Sequence, residues 1–139
     1  MELVDLDAPA KVVKKHRAHP VAVSKTLQWL RGAGYACGCV ERYDVYANKK
    51  HDLFGFIDYI AICDTETLGV QICGADFSSH IKKLTVERCD SVIRWLRCPT
   101  RTVVLIGWRK LKVGKKAVEY KPRVMDFWLE GDELRWEER

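Results

Sequence analysis

Apolar and polar positions follow a pattern that predicts a helix, three strands and a second helix in turn. Apolar residues at helical spacing after Pro20 predict a first helix to about Arg31, which the glycines at 32 and 34 end. Residues with high β-propensity then alternate with polar turns. The predicted strands are 39–47, 53–63 and 68–73.

The second half of the chain predicts a long helix over 76–97, with Asp76 as its N-cap, followed by more β-structure. The nearly continuous apolar run 102–108 is typical of a strand that is covered on both faces. Residues 115–129 predict one or two further strands before a charged tail. This order indicates an α/β (α+β) fold in which helices pack on a mixed sheet.

Composition bounds the organisation of the chain. Its 139 residues predict a single domain over 20–139, preceded by a basic arm or helix extension over 1–19. The net charge of +5 modestly favours an anionic partner such as nucleic acid. No apolar run is long enough to cross a bilayer and no secretion signal is visible, so we expect a cytoplasmic protein without a membrane partner. Its six cysteines are then expected as reduced thiols.

The hairpin formed by the second and third predicted strands carries polar residues where a core hairpin would be apolar. With its turn centred between positions 65 and 66, Asp58 is expected opposite Cys73. The neighbours of Asp58 on its face are apolar, so its carboxylate is expected to be buried and costly unless it is paired or metal-bound. The same register places four polar side chains on one face: Asp52, Asp58, Gln71 and Cys73.

These residue types suit a metal site. A carboxylate beside a side-chain carbonyl can hold a hard divalent cation, and Asp58 and Gln71 form such a pair. A further carboxylate would strengthen the site, and the candidates are Glu41, Asp44 and Asp52. A metal held there can activate a water molecule and stabilise a phosphoryl transition state.

The run Asp58-Tyr-Ile-Ala-Ile, followed after a turn by Val70-Gln71-Ile72-Cys73, resembles the Asp…(Glu/Gln)-x-Lys core of PD-(D/E)xK nucleases. The likeness is to the Holliday-junction-resolvase and VRR-type branch and to small phage and prophage proteins. It implies a restriction-endonuclease-like fold, a mixed sheet flanked by helices in αβββαβ order, here with added C-terminal strands. It also implies a DNA endonuclease that uses Mg²⁺ or Mn²⁺, acts on DNA that can be branched, and can work as a homodimer in a bacterial or phage-infected cell.

Carried over position by position, the metal-binding residues are Asp58, Gln71 and, less directly, Glu41, with Asp52 assisting. Cys73 departs from the pattern, because the family has a lysine there that orients the attacking water and stabilises charge. Some members of the family carry that lysine on a neighbouring helix, so Lys82 or Lys83 is expected to replace it here.

Other interpretations remain open from the sequence. If neither lysine reaches the site, the protein is a catalytically inactive nuclease fold that binds nucleic acid or protein, or a purely protein-binding factor. Cys37-Gly38-Cys39 is too tightly spaced for an ordinary zinc pair, so buried thiols are the simpler explanation. A basic cluster after the second helix carries aromatic residues that can stack on bases or fill a core: Trp108, Tyr120 and Trp128.

Overall fold

The computed structural model describes residues 20–139, which form a six-stranded mixed sheet, a separate two-stranded sheet and three α-helices. The predicted basic arm, 1–19, lies outside the described residues. The first elements are α1 (Val21–Gly32), β1 (Ala36–Cys39), β2 (Arg42–Asp44), β3 (Lys49–His51), β4 (Tyr59–Ile62) and β5 (Thr67–Cys73). The later ones are α2 (Phe77–Lys82), a π-helical turn (Lys83–Glu87), α3 (Cys89–Leu96), β6 (Arg101–Lys112), β7 (Val118–Glu130) and β8 (Glu133–Glu138).

The large sheet has the strand order β1-β4-β5-β6-β7-β8. Strands β5 and β6 pair in parallel, and the other described neighbours pair antiparallel. Helix α1 packs on one face, while α2 and α3 pack on the other. The mixed α+β class expected from the sequence is therefore confirmed. Among the described helices, none is both long and apolar enough to cross a membrane.

The parallel strands at the centre explain the continuous apolar run of β6. Val104 and Ile106 face the core beneath α1, while Val103 and Leu105 face the core beneath α2 and α3. A parallel strand in this position is covered on both faces, so every residue along it benefits from being apolar. The expectation for 102–108 is confirmed, and the strand extends further to Lys112.

The predicted strand 39–47 is wrong. The sheet strand β1 ends at Cys39, and the chain then leaves the large sheet to form the β2–β3 hairpin. Asp44 ends β2, since its Oδ1 accepts hydrogen bonds from the backbone N–H groups of Tyr46 and Ala47. This local bonding competes with strand pairing despite the high β-propensity of the surrounding residues.

Two other expected boundaries also differ. Within the predicted strand 53–63, residues before Tyr59 fold into a tight turn, where Phe54 and Gly55 have positive φ angles of 54° and 80°. The expected charged tail instead forms β8 as an edge strand. Charged residues can form this strand because their backbone pairs with β7 while most of their side chains remain in solvent.

The long second helix is interrupted. A backbone hydrogen bond from Arg88 N to Lys83 O, 2.7 Å long, spans five residues and defines a π-helical turn between α2 and α3. Such turns add a residue to the helix and often lie at functional sites. In this chain the π-turn begins at Lys83, one of the two lysines proposed to serve the site.

The register between β4 and β5 differs from the expected one by two residues. Tyr59 pairs with Val70, whereas a turn centred between 65 and 66 would have placed it opposite Ile72. The expectation that Asp58 lies directly opposite Cys73 is therefore wrong. Because side chains alternate with a period of two, an even shift keeps each side chain on its expected face.

Gly107 permits the close approach of α2 to the central strands. A Cβ atom added there would lie 2.8 Å from Cδ2 of Phe77 and 3.0 Å from Sγ of Cys73. We expect Gly107→Ala to lower the free energy of unfolding by about 1–3 kcal/mol, as overpacking does in other cores. Urea denaturation measures this change. The control is Gly38→Ala, where no described heavy atom lies within 4 Å of the added Cβ; equal stability of the two variants would contradict the prediction.

Candidate metal centre

Three carboxylates converge at one end of the large sheet. One oxygen each from Glu41, Asp52 and Asp58 lies within 4.8 Å of the other two. Strands β1 and β4 are antiparallel neighbours, so Glu41, just after β1, and Asp58, just before β4, meet at the same end of the sheet. The β2–β3 hairpin then returns the chain and brings Asp52 back to this end. The described residues thus contain an all-oxygen cluster that can hold a metal ion.

Asp58 is the buried member of the cluster, with 8% of its surface exposed. Its Oδ2 accepts two hydrogen bonds, from the backbone N–H of Ile72 at 2.9 Å and from Nε2 of Gln71 at 2.6 Å. Burial, a hydrogen bond with Asp52 and the negative charges of Asp52 and Glu41 raise the pKa of Asp58 to about 8, although the Ile72 N–H acts in the opposite direction. The raised pKa favours the protonated form of Asp58 when no metal is bound.

Asp52 lies between Asp58 and a cation. The ammonium of Lys83 donates a hydrogen bond to Oδ2 of Asp52 at 2.6 Å, and both side chains are largely buried. Burial raises the pKa of Asp52, but hydrogen bonds from Asp58 and Lys83 outweigh it and hold this pKa below its usual range. Asp52 and Asp58 thus behave as a coupled pair that shares one proton, carried by Asp58.

Gln71 lies beside the cluster but faces it with its nitrogen. The amide donates to Asp58, and its Oε1 is buried without a hydrogen-bond partner among the described residues. A buried carbonyl oxygen without a partner is uncommon, because it loses its hydrogen bonds to water without compensation. The resemblance assigns this oxygen to a metal ion. If the amide turned by about 180°, this oxygen would face Asp58 and could bind a cation held there.

The two candidate lysines lie in different environments. Lys83 contacts the cluster through Asp52, whereas the side chain of the neighbouring Lys82 is exposed and has no hydrogen bond or ion pair to another described residue. Cys73 does not substitute for a lysine. Burial and the charge of Asp76 raise the pKa of its thiol to about 11, against the opposing effect of Arg123, so the thiol is neutral.

Two open cavities flank the cluster. One of about 190 Å³ is lined by Glu41, Lys50 and Asp58, and another of about 450 Å³ by Lys50, Asp52 and Lys83, each with further residues. Lys50 contributes to both. Lys50 and Lys83 therefore place positive charge beside the carboxylates, which allows a metal ion and an anionic substrate to approach the same place.

The Asp52–Lys83 ion pair is the main feature of the site that the sequence pattern does not specify. The two residues are 31 positions apart, and the sequence suggested each of them separately. The presence of Asp52 among the polar residues of one face was the available signal. The site is thus composed of three carboxylates, a buried amide and a lysine. Comparison of the chain with protein-family models, with curated proteins and with solved structures finds no match in any of the three.

Proposed function

We propose that the protein is a metal-dependent DNA endonuclease of PD-(D/E)xK type with a restriction-endonuclease-like fold. The observation that carries this proposal is the cluster of Glu41, Asp52 and Asp58 with Lys83 paired to it. A purely structural role does not account for this cluster, because the burial of one carboxyl group beside two others lowers stability and adds no apolar packing. The cost is reasonable where the carboxylates bind an ion.

The residues present fit Mg²⁺ or Mn²⁺. Carboxylate oxygens from Glu41, Asp52 and Asp58 would hold the ion, and Gln71 would add a neutral oxygen once its amide turns its Oε1 toward them. Such an ion supplies an acidified water molecule and neutralises charge on the phosphoryl group. Binding it requires Asp58 to lose its proton, so affinity should rise with pH.

Lys83 supplies the positive charge that the resemblance would place at Cys73. Its ammonium is held 2.6 Å from Asp52, which fixes its position at the edge of the metal cluster. From there it orients an attacking water by hydrogen bonding and stabilises the negative charge that develops on the phosphate oxygens. Asp52 therefore has two roles, as a metal ligand and as the group that positions Lys83.

The topology supports the fold part of the proposal. Within 20–139, helix α1, the sheet strands β1, β4 and β5, the broken helix and β6 follow the αβββαβ order. The β2–β3 hairpin is an insertion, and β7 and β8 extend the sheet. A homodimer, branched DNA and the cytoplasm of a bacterial or phage-infected cell are proposals that rest on the resemblance alone.

A second candidate function is a catalytically inactive member of the same fold that binds nucleic acid or protein. The observation that favours it is Cys73, a buried neutral thiol at the expected lysine position. This alternative predicts DNA binding without cleavage, whereas the nuclease proposal predicts both.

Metal binding and cleavage test the proposal together. We expect the purified protein to bind Mn²⁺ in calorimetric titration and to cut plasmid or branched DNA with Mg²⁺ or Mn²⁺ but not with EDTA. Asp52→Asn should weaken Mn²⁺ binding by about tenfold or more, because it removes a charged ligand.

The matched control is Asp64→Asn, an exposed carboxylate in the turn between β4 and β5. It should bind Mn²⁺ and cut DNA like the wild type. If the protein neither binds Mn²⁺ nor cuts any of these DNA forms, the nuclease proposal is wrong. Mn²⁺ binding without cleavage would instead support the inactive fold.

A further inference from the structure

The β2–β3 hairpin, residues 42–51, is attached directly to the candidate metal centre. It begins immediately after Glu41 and ends immediately before Asp52, so two of the three clustered carboxylates form its base. In the part of the chain that the structure describes, β2 and β3 pair with each other and with no strand of the large sheet. The hairpin therefore projects beside the site without contributing to the main sheet.

The surface of this hairpin is both apolar and basic. Three large apolar side chains are strongly exposed: Tyr43 (53%), Val45 (76%) and Tyr46 (102%). Three exposed cations accompany them: Arg42, Lys49 and Lys50. The acidic residue Asp44 is half-buried, and its carboxylate accepts hydrogen bonds from the turn backbone and lies 3.6 Å from His51.

The tip is held in a defined shape. Asp44 caps the turn, the hydroxyl of Tyr43 donates to Oδ1 of Asn48, and Asn48 itself adopts a positive φ of 48°. Asparagine tolerates this conformation better than most residues. A turn organised in this way presents Tyr46 to solvent from a fixed position. The ring belongs to a group of three exposed apolar side chains, and exposed apolar patches often mark interaction sites.

The positive charge of the hairpin is continuous with the site. Lys50 lines the cavity beside Asp58 and also the cavity beside Asp52. The five residue steps from Glu41 to Tyr46 span at most roughly 18 Å when extended. A ligand of that length in contact with Tyr46 can therefore reach the carboxylate cluster, and the positive charge of Lys50 favours an anionic one.

We propose that this hairpin binds DNA at an unpaired or easily unstacked base. Tyr46 stacks on the exposed base, while Arg42, Lys49 and Lys50 contact the flanking phosphates. Aromatic stacking is available where a base is not already stacked in a duplex, which gives the preference its physical basis. This inference rests on the proposed function for the identity of the ligand.

The test measures binding without cleavage. Fluorescence anisotropy with EDTA present compares a forked DNA, a bulged DNA and an intact duplex of equal length. We expect the wild type to bind the fork and the bulge more tightly than the duplex. Tyr46→Ala should weaken binding to the fork and the bulge by about tenfold and binding to the duplex by less than twofold. Tyr46→Phe, which keeps the ring, should behave like the wild type.

Lys49→Ala provides a second comparison. It should weaken binding to all three DNA forms by a similar factor and reduce the dependence of the affinity on salt, because phosphate contacts carry no base preference. The inference is overturned if Tyr46→Ala binds the fork as the wild type does, if it loses the same factor on the duplex, or if the wild type binds no DNA. Tyr46-dependent capture of a protein in place of DNA would overturn it as well.

These outcomes are separable from those of the nuclease proposal. Fork preference that depends on Tyr46, in a protein that never cuts DNA, leaves the hairpin inference standing and removes the nuclease proposal. Cleavage and binding that are both unaffected by Tyr46→Ala remove the hairpin inference alone.

Discussion

Replacement of Lys83 by methionine is expected to slow metal-dependent DNA cleavage by about 100-fold or more while changing Mn²⁺ affinity by less than about threefold. Methionine keeps much of the length and apolar volume of the lysine stem but lacks the ammonium. The metal ligands Glu41, Asp52 and Asp58 remain in place. Single-turnover cleavage rates and calorimetric titration with Mn²⁺ at pH 8 measure the two quantities separately.

Lys82→Met is a matched control, since it makes the same chemical change one residue earlier. Lys82 is exposed and has no partner among the described residues, so this variant should cleave within about twofold of the wild type. Lys83→Arg retains a charge but differs in shape, so it should restore only part of the activity. If Lys82→Met is the slow variant, or if both variants cleave like the wild type, Lys83 does not have the assigned role.

The pairing of Asp58 with Gln71 was accessible from sequence because strand periodicity is insensitive to an even error in register. The predicted hairpin turn was displaced, yet both side chains remained on one face and hydrogen-bond to each other. An odd error would have separated them. The most informative part of the sequence pattern was therefore the alternation of faces, and not the exact partner of each residue.

The positions of Asp52 and Glu41 depend on an inserted element that the sequence did not reveal. Tyr43, Val45 and Tyr46 have high β-propensity and suggested a sheet strand, but propensity does not show whether a strand is buried. The side chain of Asp44 ends that strand by capping a turn. Tertiary structure then brings the two ends of the hairpin to the same edge of the large sheet.

The distinction between the two lysines was also inaccessible from sequence. Successive helical residues point about 100° apart, so a small change in helical phase determines which one faces the site. The π-turn that begins at Lys83 changes that phase, and the residues of the turn do not predict it from sequence. Which lysine reaches the site is thus determined by tertiary packing, and local sequence patterns do not predict that packing.

Asp58→Asn is expected to stabilise the metal-free protein and to abolish its response to metal. The pKa of about 8 for folded Asp58 lies well above the roughly 3.9 of an unfolded aspartate. The folded state therefore binds more protons between these values, and its free energy of unfolding falls as the pH rises from about 4 to about 8. Because the asparagine amide stays neutral over this range, the variant does not lose this stability as the pH rises.

The geometry allows the substitution without a lost hydrogen bond. The Oδ1 of an asparagine can accept from Gln71 and from the Ile72 N–H, while its amide nitrogen can donate to Asp52 as the protonated carboxyl does. We expect the metal-free variant to be more stable than the wild type by about 2–5 kcal/mol at pH 8, or roughly 6–20 °C in Tm, and by about 1 kcal/mol at pH 5. Differential scanning calorimetry at the two pH values measures the gain.

Mn²⁺ should stabilise the wild type but not Asp58→Asn. Because a ligand that binds only the folded state stabilises it, saturating Mn²⁺ should raise the Tm of the wild type at pH 8 and leave that of Asp58→Asn unchanged. Asp64→Asn, an exposed aspartate outside the cluster, should follow the wild type under every condition. A metal-free Asp58→Asn protein that is less stable than the wild type at pH 8 would show that Asp58 is held as a structural anion. In that case its burial would no longer argue for a metal site.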